Sequence, residues 1–199
     1  MAVSNEAFYF SPYNTYSDGT GHLLANNIRE KSNYALWVNP GSYFKTMFTG
    51  TSAILNTEVT GPSNGQPPKV RWAVDDGPFI TLQLHTGSNA VQLAADLKTG
   101  AHSIVFFLSA SDANLNRWRE PVAGLKIYGI VLDPGSTLGP LASSIALRSK
   151  RIIFFGDSIT EGAWVLGNSD RRISGHYADW VMYSDALLAW PRAVAAALD

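Results

Sequence analysis

The chain has 199 residues, 46% hydrophobic and 16% charged, enough for one domain or two small ones and too apolar for intrinsic disorder. Fifteen Lys plus Arg against sixteen Asp plus Glu give a formal net charge of −1, so no basic field exists to draw in nucleic acid or an anionic membrane. The absence of cysteine excludes disulfides, thiolate zinc sites and a Cys nucleophile, and no apolar run of about 18 residues is present to span a bilayer as a helix.

The N-terminus, Met1-Ala2-Val3-Ser4-Asn5-Glu6, carries neither a basic region nor an apolar stretch. Two readings stand there: a cytoplasmic chain, or one whose signal peptide was removed and Met1 added. Residues 1 to 132 then read as short strands separated by turns. In Lys69-Val70-Arg71-Trp72-Ala73-Val74-Asp75, the residues Val70, Trp72 and Val74 share one face, and Lys69, Arg71 and Asp75 the other. After Asp76-Gly77-Pro78 the alternation resumes, with Ile80, Leu82 and Leu84 set against Thr81, Gln83 and His85. Period-two patterning on both sides of an Asp-Gly turn predicts a hairpin, with those six apolar side chains pointing inward. Further strands are expected at 34–38, 42–48, 51–55, 102–108 and 125–132. Gly, Pro and Asn between them suit an antiparallel sandwich. His22, His85 and His102 fall in this part and are expected to be solvated.

At Asp133-Pro134-Gly135-Ser136-Thr137-Leu138-Gly139-Pro140 the pattern breaks, which predicts a domain boundary. The expected division is a β-sandwich over 1–135, a linker over 136–149, and the beginning of a second domain over 150–199. Arg151-Ile152-Ile153-Phe154-Phe155 is a continuous apolar run, the pattern of a strand buried on both faces of a parallel sheet. The Ala-rich tail from Trp190-Pro191 reads as a helix with Pro in its first turn. The fold class expected is mainly β, a sandwich followed by the first β-α unit of an α/β domain.

Between strand and helix stands Gly156-Asp157-Ser158-Ile159-Thr160-Glu161-Gly162. A Ser at the exit of a parallel strand lies at the carboxyl edge of the sheet, where open α/β folds bind ligands. Gly156 permits a tight turn, and N–H groups at a following helix start are oriented to stabilise an oxyanion. The Gly-x-Ser-x-Gly elbow is not matched, because Thr160 occupies its last position. Gly-Asp-Ser alone is equally an ordinary turn.

Residues 151–164, RIIFFGDSITEGAW, resemble block I of the GDSL/SGNH hydrolase superfamily, whose nucleophile is the Ser of Gly-Asp-Ser. Trp190-Pro191 with Leu198 is similar to the first helix of that domain. Ahead of it, Gly50-Thr51-Ser52, Val74-Asp75-Asp76-Gly77 and Gly100-Ala101-His102-Ser103-Ile104-Val105 resemble the companion sandwich of family 2 carbohydrate esterases, the acetylxylan esterase type. The resemblance implies a jelly-roll-like sandwich joined to a flavodoxin-like hydrolase domain. It also implies a carboxylic ester hydrolase that removes acetyl or similar groups from carbohydrate. Ser158 would be the nucleophile and one oxyanion donor, in a turn supported by Gly156, Asp157 and Thr160, with Asp157 a brace and not an acid. An extracellular location follows from the same resemblance.

The family also carries a Gly-x-Asn-Asp-type oxyanion segment and an Asp-x-x-His that supplies the base; neither occurs here. The chain is therefore expected to need a second polypeptide, such as the continuation of the same precursor, and to be inactive alone. His176 lies between strand and helix and is read as a loop histidine before a substitute base. Trp164 and Trp180 are candidates for a substrate rim, against core or interface packing. No cofactor and no metal are called for, because no His or carboxylate pair shares ligand spacing with a third. The competing reading is a non-catalytic carbohydrate-binding or scaffold protein, with the Ser turn a relic.

Overall fold

A computed structural model describes residues 7–11, 16–17, 34–61, 66–112, 124–139, 154, 156–163, 165–167 and 180–197. Among the described residues eleven strands run in chain order: β1 (Phe8–Phe10), β2 (Tyr16–Ser17), β3 (Ala35–Trp37), β4 (Tyr43–Gly50), β5 (Ala53–Thr60), β6 (Lys69–Val74), β7 (Ile80–Gln83), β8 (Gly87–Ala94), β9 (Gly100–Ala110), β10 (Gly124–Leu132) and β11 (Leu138–Gly139). The described residues continue with helices α1 (Trp180–Tyr183) and α2 (Trp190–Ala197) and the 3-10 turn Ala186–Leu188 between them. Pro191 stands in the first turn of α2, where its missing N–H has no intrahelical partner to lose.

All the pairings among the described residues are antiparallel, in two sheets of order β1-β4-β9-β6-β7 and β2-β3-β10-β5-β8. β11 lies in the stretch expected to be a linker and pairs with β4, continuing the edge that β1 begins. Alternation explains the core. Phe44, Phe48, Ile104, Phe106, Leu108, Val70 and Trp72 face inward from the first sheet, and Leu55, Val91, Leu93, Leu125 and Ile127 from the second. Phe44 packs on Phe8, Trp37 and Phe106, with ring centroids 5.4, 5.9 and 5.3 Å away. In β10 a bulge between Ile127 and Gly129 resets the parity, so that Ile130 also reaches the core. β8 falls outside the expected strands, because Gly87-Ser88-Asn89-Ala90 precede Val91 and leave it only two large apolar side chains, Val91 and Leu93, to mark a face.

The β6–β7 hairpin forms with Val70 opposite Leu82 and Trp72 opposite Ile80, but two of the six expected inward side chains are exposed. Val70, Trp72 and Leu84 are buried and Val74 packs against the core, whereas Ile80 is 50% and Leu82 40% exposed. β7 is the outermost strand of its sheet, while the opposite sheet ends at β8. Trp72 Nε1 donates to the Leu93 carbonyl of β8 at 2.9 Å, so the cover stops at β6 and β7 overhangs it. The turn also shifts by one residue. Asp75 and Asp76, not Asp76-Gly77, take the left-handed positions (φ 50° and 58°), and Gly77 N–H closes the turn on the Val74 carbonyl.

Candidate functional site

Residues 158–163 form a single helical turn. Glu161 N–H donates to the Asp157 carbonyl, Gly162 N–H to Ile159, and Ala163 N–H to Ser158, at 3.2, 3.0 and 2.8 Å. The last two bonds are the paired 5→2 and 6→1 closures of a Schellman motif, with Gly162 (φ 75°) at its left-handed position. Asp157 Oδ1 accepts the Ile159 N–H at 3.0 Å across the entrance of the turn. Thr160 folds back over Gly156, and a Cβ at Gly156 would collide with its hydroxyl oxygen and lie 2.6 Å from its Cβ. Local chemistry thus explains the motif: glycine where Thr160 closes in, an Asx brace, and glycine where the turn ends. Ser158 is exposed on this turn. Of the expected strand 151–155 only Phe154 is among the described residues; its ring meets Trp190 edge-on at 5.1 Å.

The turn is fixed from behind by residues that its own sequence does not announce. Asp185 N–H donates to the Gly162 carbonyl and Leu166 N–H to the Tyr183 carbonyl, both at 3.0 Å. Asp185 is 3% exposed; its Oδ1 accepts the Leu187 N–H at 3.0 Å and its Oδ2 pairs with Arg71 Nη1 at 2.9 Å. From the sandwich, Lys69 Nζ donates to the Met182 carbonyl at 3.1 Å and Gln66 Oε1 accepts the Val181 N–H at 3.0 Å, above a fully buried Val181. Burial holds the Lys69 ammonium below its usual pKa, Asp185 opposing that shift and Arg71 adding to it. The polar face of β6 is therefore the surface on which 180–189 dock.

Neither described histidine hydrogen-bonds Ser158. His102 is not solvated as expected: its side chain is 11% exposed, Nδ1 bonds Asp75 Oδ2 and Nε2 bonds the Lys98 carbonyl at 2.7 Å. The hydrogen bond to Asp75 raises its pKa most, against desolvation, with the Lys98 carbonyl adding to the rise. It lies five residues along β9 from Phe107, the partner of Arg71, and so about 17 Å from the docking point. His85 is exposed, with Nδ1 at 3.1 Å from the Thr86 carbonyl oxygen. His22, His176 and Trp164 lie outside the described residues; Trp180 is half-buried in α1. Among the described residues no group of three His, Asp or Glu is placed to hold a metal. No described helix is long and apolar enough to cross a membrane. A cleft at one end of the sandwich, lined by Trp37, Thr60, Gln66, Asp112 and Leu125 among others, includes none of the turn residues.

No protein-family model and no curated protein sequence matches the chain. Solved structures do. A family two carbohydrate esterase from Cellvibrio japonicus superposes with TM-score 0.69 at 16% identity, over 100% of this chain and 49% of that one. An acetyl xylan esterase from Butyrivibrio proteoclasticus gives 0.70 at 18%, over 100% and 46%. An active-site mutant of a family two carbohydrate esterase from Clostridium thermocellum gives 0.63 at 17%, over 83% and 44%. The chain thus resembles family two carbohydrate esterases in fold, and it spans about half the length of these structures.

Proposed function

We propose that the chain is the sandwich and nucleophile-bearing portion of a serine carbohydrate esterase of SGNH type. The reading proceeds from its fold likeness to family two carbohydrate esterases. The observation that carries it is Ser158: an exposed serine on a Schellman-closed turn, docked onto a sandwich of that fold. Ser158 Oγ attacks the acyl carbonyl of an acetylated or similarly acylated sugar while its proton passes to a base. The tetrahedral oxyanion is met by the Ser158 N–H. Collapse breaks the bond to the sugar oxygen, which leaves protonated, and water then releases the acyl group as a carboxylic acid. No metal or other cofactor enters this scheme.

The base and the remaining oxyanion donors are assigned to chain beyond this stretch, as a continuation or a second polypeptide. Ile159, Val165, Leu166, Met182, Leu188 and Trp190 support this, since all six are 44–68% exposed on the segment that carries Ser158. Exposed apolar surface of that extent on one segment favours a covering partner. The gene-encoded protein is assayed for release of acetate from acetylated xylan and from p-nitrophenyl acetate. Ser158→Ala is expected to lower turnover by at least about 10³-fold with unchanged circular dichroism. Undiminished turnover refutes the assignment; silence in both proteins together with retention on polysaccharide supports the binding-module reading.

A further inference from the structure

We infer that Arg71 is a positioning residue for Ser158, so that the sandwich sets the geometry of the hydrolytic turn through the Arg71–Asp185 ion pair. The inference rests on the nucleophile reading above and extends it to a residue 87 positions away in sequence.

Strand β6 is hydrogen-bonded on both sides, to β7 and β9, and so is a fixed base. Arg71 leaves its outer face with the guanidinium over the Phe79 ring, 5.3 Å from the centroid, and Phe79 is braced edge-on by Phe107 at 5.8 Å. Its Nη1 holds one carboxylate oxygen of Asp185 while the other oxygen caps the Leu187 N–H. With both oxygens engaged, the buried carboxylate has one orientation, and its backbone is set with it. That backbone grips the Ser turn twice, through its N–H on the Gly162 carbonyl and through its own carbonyl packed where a Gly162 Cβ would stand. Gly162 is the residue that closes the helical turn begun at Ser158. The path from sheet to nucleophile thus has four links, Arg71, Asp185, Gly162 and Ser158.

Without the guanidinium, a buried carboxylate oxygen is left without its partner, and Asp185 is driven toward water. The turn then loses its rear support while the residues that meet substrate are untouched. A misplacement of about 1 Å lowers a reaction rate by about 10²-fold. The effect therefore belongs in the chemical step and not in substrate binding.

The test uses the gene-encoded protein with Arg71→Met, Arg71→Lys, Asp185→Asn and Ser158→Ala. Phosphonylation of Ser158 by a fluorophosphonate reagent is followed by intact mass, beside kcat and KM for p-nitrophenyl acetate and amide exchange of residues 158–166. Arg71→Met is expected to slow phosphonylation and lower kcat about 10- to 100-fold with KM within twofold. Arg71→Lys is expected to recover most of the loss, because a cation again reaches Asp185, while exchange in β4 and β9 stays unchanged. Wild-type phosphonylation rates in Arg71→Met, or a Lys variant no better than Met, overturn the inference. Should Arg71→Met fail to fold, Asp185→Asn and Arg71→Lys decide it by the same measurements. If wild type and Ser158→Ala are equally inert to the reagent, the nucleophile reading fails. Exchange then still decides the clamp: lost protection at Gly162 and Ala163 in Arg71→Met upholds it, and unchanged protection overturns it.

Discussion

Replacing Gly162 by alanine attacks the rear support of the Ser turn by one carbon atom. Gly162 has φ 75°, where an L-residue is about 1–2 kcal/mol less stable than glycine. The new Cβ would fall on the Asp185 carbonyl oxygen and 2.7 Å from its carbon, backbone atoms that cannot swing aside as a side-chain tip would. Overpacking of this kind adds about 1–3 kcal/mol. Relief by separation stretches the Asp185 N–H bond to the Gly162 carbonyl, about 1 kcal/mol more. The docked turn should thus lose about 3–6 kcal/mol. Gly87 isolates the conformational part: its φ is 90°, and a Cβ there meets no atom within 4 Å. Gly87→Ala should lower the global stability by only about 1–2 kcal/mol in a urea melt. Native-state amide exchange at Gly162, Ala163 and Asp185 measures the turn. Gly162→Ala should open it at low free energy while core amides of β4 and β9 keep wild-type protection, since the sandwich does not depend on the turn for its core. A loss of protection no larger than the Gly87→Ala effect would refute the collision and the docking geometry together.

The overhang of β7 predicts a contrast between two apolar residues: Phe44→Ala, fully buried among the rings of Phe8, Phe10, Trp37 and Phe106, should lose about 3–5 kcal/mol, while Ile80→Ser, 50% exposed, should stay within about 0.5 kcal/mol in urea unfolding. Comparable losses would show that β7 is covered after all. The His102 pKa is raised, chiefly by its bond to Asp75, so its stabilising contribution is fully present below the unfolded value of about 6.5 and disappears as pH rises through the raised folded value. The urea midpoint should fall as pH increases above about 6.5, and His102→Gln should flatten that dependence; an equal slope in both proteins would dismiss the pair as a pH-linked support.

Much of the sandwich is legible in the sequence because a strand's periodicity is local. Val70 and Trp72 alternate with Lys69 and Arg71 whatever lies opposite, and the alternation assigns them to a core. The backbone demands of the Ser turn are local as well: the left-handed Gly162, the close approach at Gly156 and the Asp157 brace all act within seven residues. Coverage is another matter. Alternation states which residues share a face and is silent on whether anything covers that face. Ile80 and Leu82 carry the inward pattern yet overhang the opposite sheet, whose last strand stops short of them. Lys69 and Arg71 carry the outward pattern yet receive Met182 and Asp185 from more than a hundred residues away. His102 likewise looks free until the Asp75 turn closes on one nitrogen and the Lys98 carbonyl on the other. The sequence by itself determined seven of the strands, the residues that share a face in the β6–β7 hairpin, and the local turn that presents Ser158. Only the tertiary structure decided which polar face became an interface and which apolar face stayed bare, because burial is a property of two surfaces and a periodic pattern describes only one.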